Sequence, residues 1–144
     1  AAFPDWQCSV TALELARTFW EKATILHAEH HRPADQATPD RYARHYADME
    51  RLLRHPEANT MLADHVLCAR VVEWKSRVFA RQWARYDLAV PGTLRLLPAD
   101  ARHAALARDY AQMRAMFIAA PPEFEVVMAR LAEAERMLNA SSAA

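Results

Sequence analysis

Glycine is almost missing from this chain. Gly92, in Pro91-Gly92-Thr93, is the only one among 144 residues, where average usage supplies roughly ten. Folds that need repeated positive-φ turns, such as hairpin-rich sandwiches and barrels, are therefore disfavoured. A single glycine also excludes the P-loop and the dinucleotide-binding fingerprint. Cysteine is scarce as well. Cys8 and Cys68 are too few for a disulfide framework and lack metal-ligand spacing, so a reducing, cytoplasmic setting is expected. No apolar run reaches the roughly 18 residues of a membrane span. The first residues, Ala1-Ala2-Phe3-Pro4-Asp5-Trp6, have neither Met nor a signal-like pattern, and the chain is expected to be part of a longer one. The formal net charge is +0, which removes the electrostatic case for a general nucleic-acid coat.

The residues present favour helices. The chain is 53% hydrophobic and 25% charged, too apolar for disorder, and its length suits a single helical domain over 1–144. Residues 1–10 are expected to form an extended lead-in, because Pro4 favours an extended residue before it. Thr11-Ala12-Leu13-Glu14 has capping-box spacing, which predicts a helix from there to about His30. Thr38-Pro39 reads as an N-cap followed by Pro at the first helical position, starting a second helix that runs to about Leu53. A third begins after His55-Pro56, with an interruption near Asp64, and reaches about Trp83. Residues 84–97 are irregular. Pro98 opens a helix ending near Ile118, and a last helix follows Pro121-Pro122 to about Asn139, leaving a frayed tail at 140–144. Apolar residues recur at helical spacing, as in Tyr42, Tyr46, Met49, Leu53, then Leu106, Tyr110, Met113, Phe117, then Phe124, Val127, Met128, Leu131. The expected architecture is an all-α bundle of four to five helices with little or no sheet.

Of the 18 basic residues only Lys22 and Lys75 are lysine. Each interrupts an apolar stripe: Leu15, Phe19, Lys22, Leu26 on the first helix and Cys68, Val72, Lys75, Phe79 on the third. An ammonium there is costly unless paired. It either snorkels to water over the core or is aimed at a phosphate or carboxylate. Arg44, His45 and Asp48 edge the apolar stripe of the second helix. Asp48 could pair with Arg44 one turn away or be a carboxylate poised by cations for metal or hydroxyl binding. His27 and His31 have i,i+4 ligand spacing, with His30 nearby and His45 or Asp48 as further donors. A helix C-terminus favours histidine without any metal, and no metal site is assigned. Trp20, Trp74, Trp83, Arg85 and Tyr86 are either core or a base-stacking surface. Cys68 reads as a small buried apolar residue.

Thr18-Phe19-Trp20-Glu21-Lys22-Ala23-Thr24-Ile25-Leu26-His27 resembles the helix motif of the AbiEii/AbiGii-type nucleotidyltransferase toxins. Arg44-His45-Tyr46-Ala47-Asp48 resembles that family's downstream Arg-x-x-x-Asp motif. The stretches Phe3-Pro4-Asp5-Trp6, Lys75-Ser76-Arg77-Val78-Phe79, Trp83-Ala84-Arg85-Tyr86-Asp87 and Pro91-Gly92-Thr93-Leu94 look like one branch of the same family. The resemblance implies a polymerase-β-like nucleotidyltransferase of toxin–antitoxin or abortive-infection systems, using NTP and Mg²⁺, some members acting on tRNA ends. By motif position it implies that Lys22 contacts the nucleotide phosphates. Asp48 would orient nucleotide, metal or acceptor hydroxyl. Arg44, His45, Lys75 and Arg77, in the matched stretches, are expected to bind substrate.

The family's Gly-Ser motif and its carboxylates are absent from these 144 residues. The chain is thus expected to be the helical C-terminal portion of such an enzyme, not competent alone and holding no cofactor tightly. Its expected partners are NTP, a tRNA and a cognate antitoxin, with no membrane; exposed apolar surface would allow an oligomer. The alternative is a non-catalytic helical module that docks a protein through an apolar groove.

Overall fold

The computed structural model describes residues 5–79, 81–119 and 121–140, with side chains from residue 13 onward. The described residues form an all-α fold without strands. The helices are α1 (Asp5–His30), α2 (Ala43–Leu53), α3 (Ala58–Ala63), α4 (His65–Val78), α5 (His103–Arg114) and α6 (Phe124–Ala140), with single 3-10 turns at Gln82–Ala84, Tyr86–Leu88 and Asp100–Arg102. The sixth helix arises because the third is cut at Asp64. That residue leaves helical geometry and restarts α4 as its cap, its Oδ1 accepting from the Leu67 amide at 3.0 Å.

Three expectations are corrected. Asp5–Val10 are helical, not an extended lead-in. Pro4 can head a helix as well as follow an extended residue, and no Pro or Gly lies between it and Arg32. Residues 1–4 of that lead-in and 141–144 of the expected frayed tail lie outside the described residues, and Ala140 still belongs to α6. The second helix starts at Ala43, five residues beyond Thr38. Thr38 does not cap it: its hydroxyl donates to Glu29 at 2.7 Å and accepts from Arg102 at 3.1 Å. Arg41 is left-handed, at φ 62°. The cap comes instead from Asp109 on α5, whose carboxylate accepts from the amides of Arg41 and Ala43, each at 2.9 Å. Finally, α4 stops at Val78 and α5 at Arg114, short of Trp83 and Ile118. After α5 the chain turns back, held by Arg114 Nε donating to the Pro121 carbonyl at 2.8 Å and by the Tyr110 hydroxyl donating to that of Pro122. Phe117 is left 46% exposed, off the stripe its spacing suggested.

Helix α2 is central. It packs on α1, α5 and α6, while α1 also packs on α4. Phe19, Trp20 and Leu26 of α1, Tyr46 and Met49 of α2, Leu106 and Tyr110 of α5, and Val127 and Leu131 of α6 are buried. Each such side chain contributes about 1.5–3 kcal/mol. Trp20 also donates its indole N–H to the Met61 carbonyl at 3.1 Å. This pins α3 to α1. Glu50, buried on α2, lies between Arg54 at 2.8 Å and Arg130 of α6 at 3.2 Å. The contact is ionic, since among the described residues its Oε1 has no well-aligned donor. The Tyr46 hydroxyl is buried without a partner among the described residues. Leaving a polar group unsatisfied costs about 1–3 kcal/mol. Tyr46→Phe should therefore leave stability unchanged or raise it by about 1 kcal/mol. A thermal melt showing clear destabilisation would reveal a partner for that hydroxyl.

Candidate functional site

The contact between α1 and α2 brings the two motif residues together. The Lys22 ammonium lies 3.2 Å from Asp48 Oδ2 and 3.2 Å from His45 Nδ1. Lys22 therefore neither snorkels free nor leaves Asp48 to Arg44: the ion pair joins neighbouring helices. Lysine has only donors, so His45 Nδ1 must accept and its proton sits on Nε2. Burial, with Lys22 and then Arg44 adding positive charge nearby, lowers the His45 pKa to about 4 against the pull of Asp48. His45 is accordingly neutral at physiological pH, and its acceptor is permanently offered to Lys22. The Tyr42 ring packs edge-on against the imidazole with centroids 4.6 Å apart, which fixes the imidazole orientation. Tyr42 precedes His45 by one turn, a spacing that could have signalled this contact.

Lys75 enters the same neighbourhood from α4. It is buried, and its ammonium donates to the Glu21 carbonyl on α1 at 2.8 Å. Burial lowers its pKa to about 8; Glu21 opposes the shift and Lys22 adds to it. At neutral pH two ammoniums, Lys22 and Lys75, thus share one region with a neutral imidazole. Arg44 is exposed one turn before Asp48, and both line a groove of about 640 Å³ with Arg51, Arg54, Arg114 and Phe117. Arg77 is not gathered in. It lies two residues, or about 200°, around α4 from Lys75, and its exposed guanidinium is held by Glu73 at 2.6 Å.

The histidines at the end of α1 serve the backbone. His27 Nε2 donates to the Arg85 carbonyl at 2.8 Å and its Nδ1 accepts from the Arg95 amide at 3.0 Å. His30 Nδ1 donates to the Leu97 carbonyl at 2.9 Å. Together they fasten the irregular 84–97 segment to α1, so both nitrogens of His27 are occupied. Among the described residues no group of three or more His, Cys, Asp or Glu is placed to hold a metal.

The aromatic candidates separate. Trp20 is core. Trp74, Trp83 and Tyr86 line a second cleft of about 370 Å³ beside Lys75. Arg85 turns outward in the left-handed region and pairs with Asp87 at 2.9 Å. Cys68 is a buried apolar residue, its thiol pKa raised to about 11, first by burial. No described helix is long and apolar enough to cross a membrane.

No curated protein and no solved structure matches the chain significantly. A family model described as nucleotidyl transferase AbiEii toxin, type IV toxin–antitoxin system, matches residues 1–130. That span contains both motifs and the ion pair they form, and it covers more than half of the sequence: the chain belongs to the AbiEii nucleotidyl transferase toxin family.

Proposed function

We propose that this chain supplies the lysine and aspartate side of a nucleotidyl-transfer site. The observation that carries the proposal is the 3.2 Å contact between Lys22 and Asp48, which joins the two family motifs across α1 and α2. Lys22 holds NTP phosphates as a compact point charge, with Lys75 as a second cation behind it. His45 and Asp48 occupy two of the three ammonium donors of Lys22 and leave the third for phosphate. Once phosphate shares the ammonium, the Asp48 carboxylate is free to accept from a ribose or acceptor hydroxyl. Arg44 and Arg51, seven residues apart on one face of α2, flank that carboxylate and suit the phosphates of an RNA acceptor such as a tRNA end.

Magnesium, which neutralises transferring phosphates in this chemistry, does not fit the donors present. Asp48 is a single carboxylate already engaged by Lys22. The metal-binding carboxylates belong to the Gly-Ser segment that these 144 residues lack, and the chain is inactive without it. As a member of a type IV toxin family, the complete protein acts in the cytoplasm opposite a cognate antitoxin.

The test is calorimetric titration of the chain with inorganic tripolyphosphate. Lys22→Ala should weaken binding roughly ten- to a hundredfold, the worth of a charge-assisted hydrogen bond. Asp48→Asn, which frees the ammonium, should tighten it. An unchanged affinity in Lys22→Ala removes the proposal.

The second reading, a protein-docking module, draws on exposed Met116, Phe117 and Ile118. Phe117 lines the Asp48 groove itself, so this apolar surface adjoins the proposed site, which favours the first reading. A stable dimer in light scattering without nucleotide would favour the second.

A further inference from the structure

We propose that the cleft between α1, the end of α4 and the segment following it is a stacking site for a nucleobase. The proposal rests on the phosphate-binding reading above, because the cleft and the Lys22 cluster share Lys75.

Its volume, about 370 Å³, falls within the range of about 300–1,000 Å³ typical of small-molecule sites. Five rings line it: Tyr42, Trp74, Phe79, Trp83 and Tyr86. Trp74 and Phe79 are 47% and 45% exposed, and their centroids lie 5.9 Å apart at 75°. Rings of this size normally seek the core; these two remain in solvent at the cleft rim. Trp83 also lines the cleft, with the Arg32 and Arg81 guanidiniums 4.9 and 5.6 Å from its centroid. Such an indole–guanidinium stack accepts any base by its π-face. Arg81 is exposed and can yield its place.

The floor discriminates between possible ligands. Lys75 lines the cleft from a buried position, near enough to feel the Lys22 charge and for its own charge to be felt by His45. Glu21 and Glu29 also line the cleft, but Arg17 and Arg32 pair with them, so it suits a ligand with a flat ring at one end and anionic charge at the other. A purely apolar peptide would leave Lys75 buried without compensation. A nucleotide places its base among the rings and its phosphates toward Lys75 and Lys22. The base can come from a free nucleotide or from a single-stranded RNA end.

The experiment titrates the full chain with ATP, inorganic tripolyphosphate and a short single-stranded oligoadenylate, for wild type, Trp74→Leu and Phe79→Leu. Both side chains are half-exposed, and circular dichroism checks that the variants remain folded. Trp74→Leu should weaken ATP roughly tenfold, the effect of losing one stacking partner, and leave tripolyphosphate unchanged; Phe79→Leu should act in the same direction. Weakening of oligoadenylate alone supports the site and assigns its base to the RNA strand. Unchanged binding of both base-containing ligands in both variants, with tripolyphosphate still dependent on Lys22, overturns the cleft and leaves the phosphate reading standing. Equal weakening of all three ligands also overturns it, as a general loosening. Stacking-dependent ATP binding without any tripolyphosphate binding keeps the cleft and removes the phosphate reading.

Discussion

Arg32→Ala should destabilise the protein by about 3–5 kcal/mol, the cost of stranding a buried charge. The charge is Glu29, whose side chain is 1% exposed against 10% for Arg32. Arg32 Nε bridges both carboxylate oxygens, at 3.0 and 2.8 Å. Among the described residues the Thr38 hydroxyl is its one further donor, at 2.7 Å, and a single hydroxyl does not neutralise a buried carboxylate. The cluster continues through Thr38 to Arg102, whose guanidinium also reaches the Pro33 and Gln36 carbonyls at 2.7 and 2.6 Å. It thereby holds the loop from α1 to α2, and that loop sets how Asp48 and His45 meet Lys22. The loss should therefore appear in phosphate binding as well as in urea unfolding. Replacing both partners, as Glu29→Leu with Arg32→Leu, should recover much of the stability, because an apolar pair strands no charge. A single variant costing less than about 1 kcal/mol would mean that water or another cation reaches Glu29.

The helices were legible where local signals acted alone. The apolar spacing of Phe124, Val127, Met128 and Leu131 described the buried face of α6, and all four are buried. The interruption at Asp64 was legible because its cause, a capping side chain, lies in the same turn. Boundaries failed where a distant residue decided them. Thr38 has the chemistry of a cap, but Glu29 and Arg102 compete for its hydroxyl and Asp109 does the capping instead. No local pattern contains that information.

The site shows the same division. Lys22, Lys75 and Asp48 stood out through residue type and motif, because a rare ammonium inside an apolar stripe is a local oddity. Sequence left open whether Asp48 would pair with Arg44 on its own helix or be a carboxylate poised by cations for metal or hydroxyl binding. Packing of α1 on α2 decided for Lys22. Arg77 was included because it lies in a motif-like stretch, but helical rotation alone separates it from Lys75. The cleft was invisible as a cleft. Trp74 and Trp83 are nine residues apart, and only the end of α4 at Val78 folds the second back toward the first.

Acid should destabilise the fold between about pH 6.5 and pH 4, and His27 and His45 should be the main causes, of which His27 lies outside the site. This imidazole is fully buried and neutral, donating to Arg85 and accepting from Arg95. Burial, chiefly, lowers its pKa from 6.5 to about 4, and the neighbouring His31 and His30 lower it further, against the Arg85 carbonyl and Asp87. The unfolded chain therefore takes up this proton before the folded one does as pH falls. Stability from this residue is complete above 6.5, declines as pH drops toward 4 and changes no further below that. The interval between those pKa values, at about 1.36 kcal/mol per pH unit, corresponds to about 3 kcal/mol. Urea unfolding between pH 7 and pH 4 measures it, and His27→Gln should flatten the slope while lowering stability at pH 7, because the Arg95 amide loses its acceptor. A slope unchanged in His27→Gln would assign the acid sensitivity elsewhere. His45 loses stability in the same window by the same linkage and also reports on the site: once protonated it can no longer accept from Lys22. His45→Asn, whose amide oxygen falls near the position of Nδ1, should keep Lys22 aligned and remove the share of the pH dependence of tripolyphosphate binding that His45 contributes, leaving that of the phosphate itself. His45→Phe should lose the alignment at every pH. The two substitutions thus separate an acid effect on the whole fold from one on the phosphate-binding lysine.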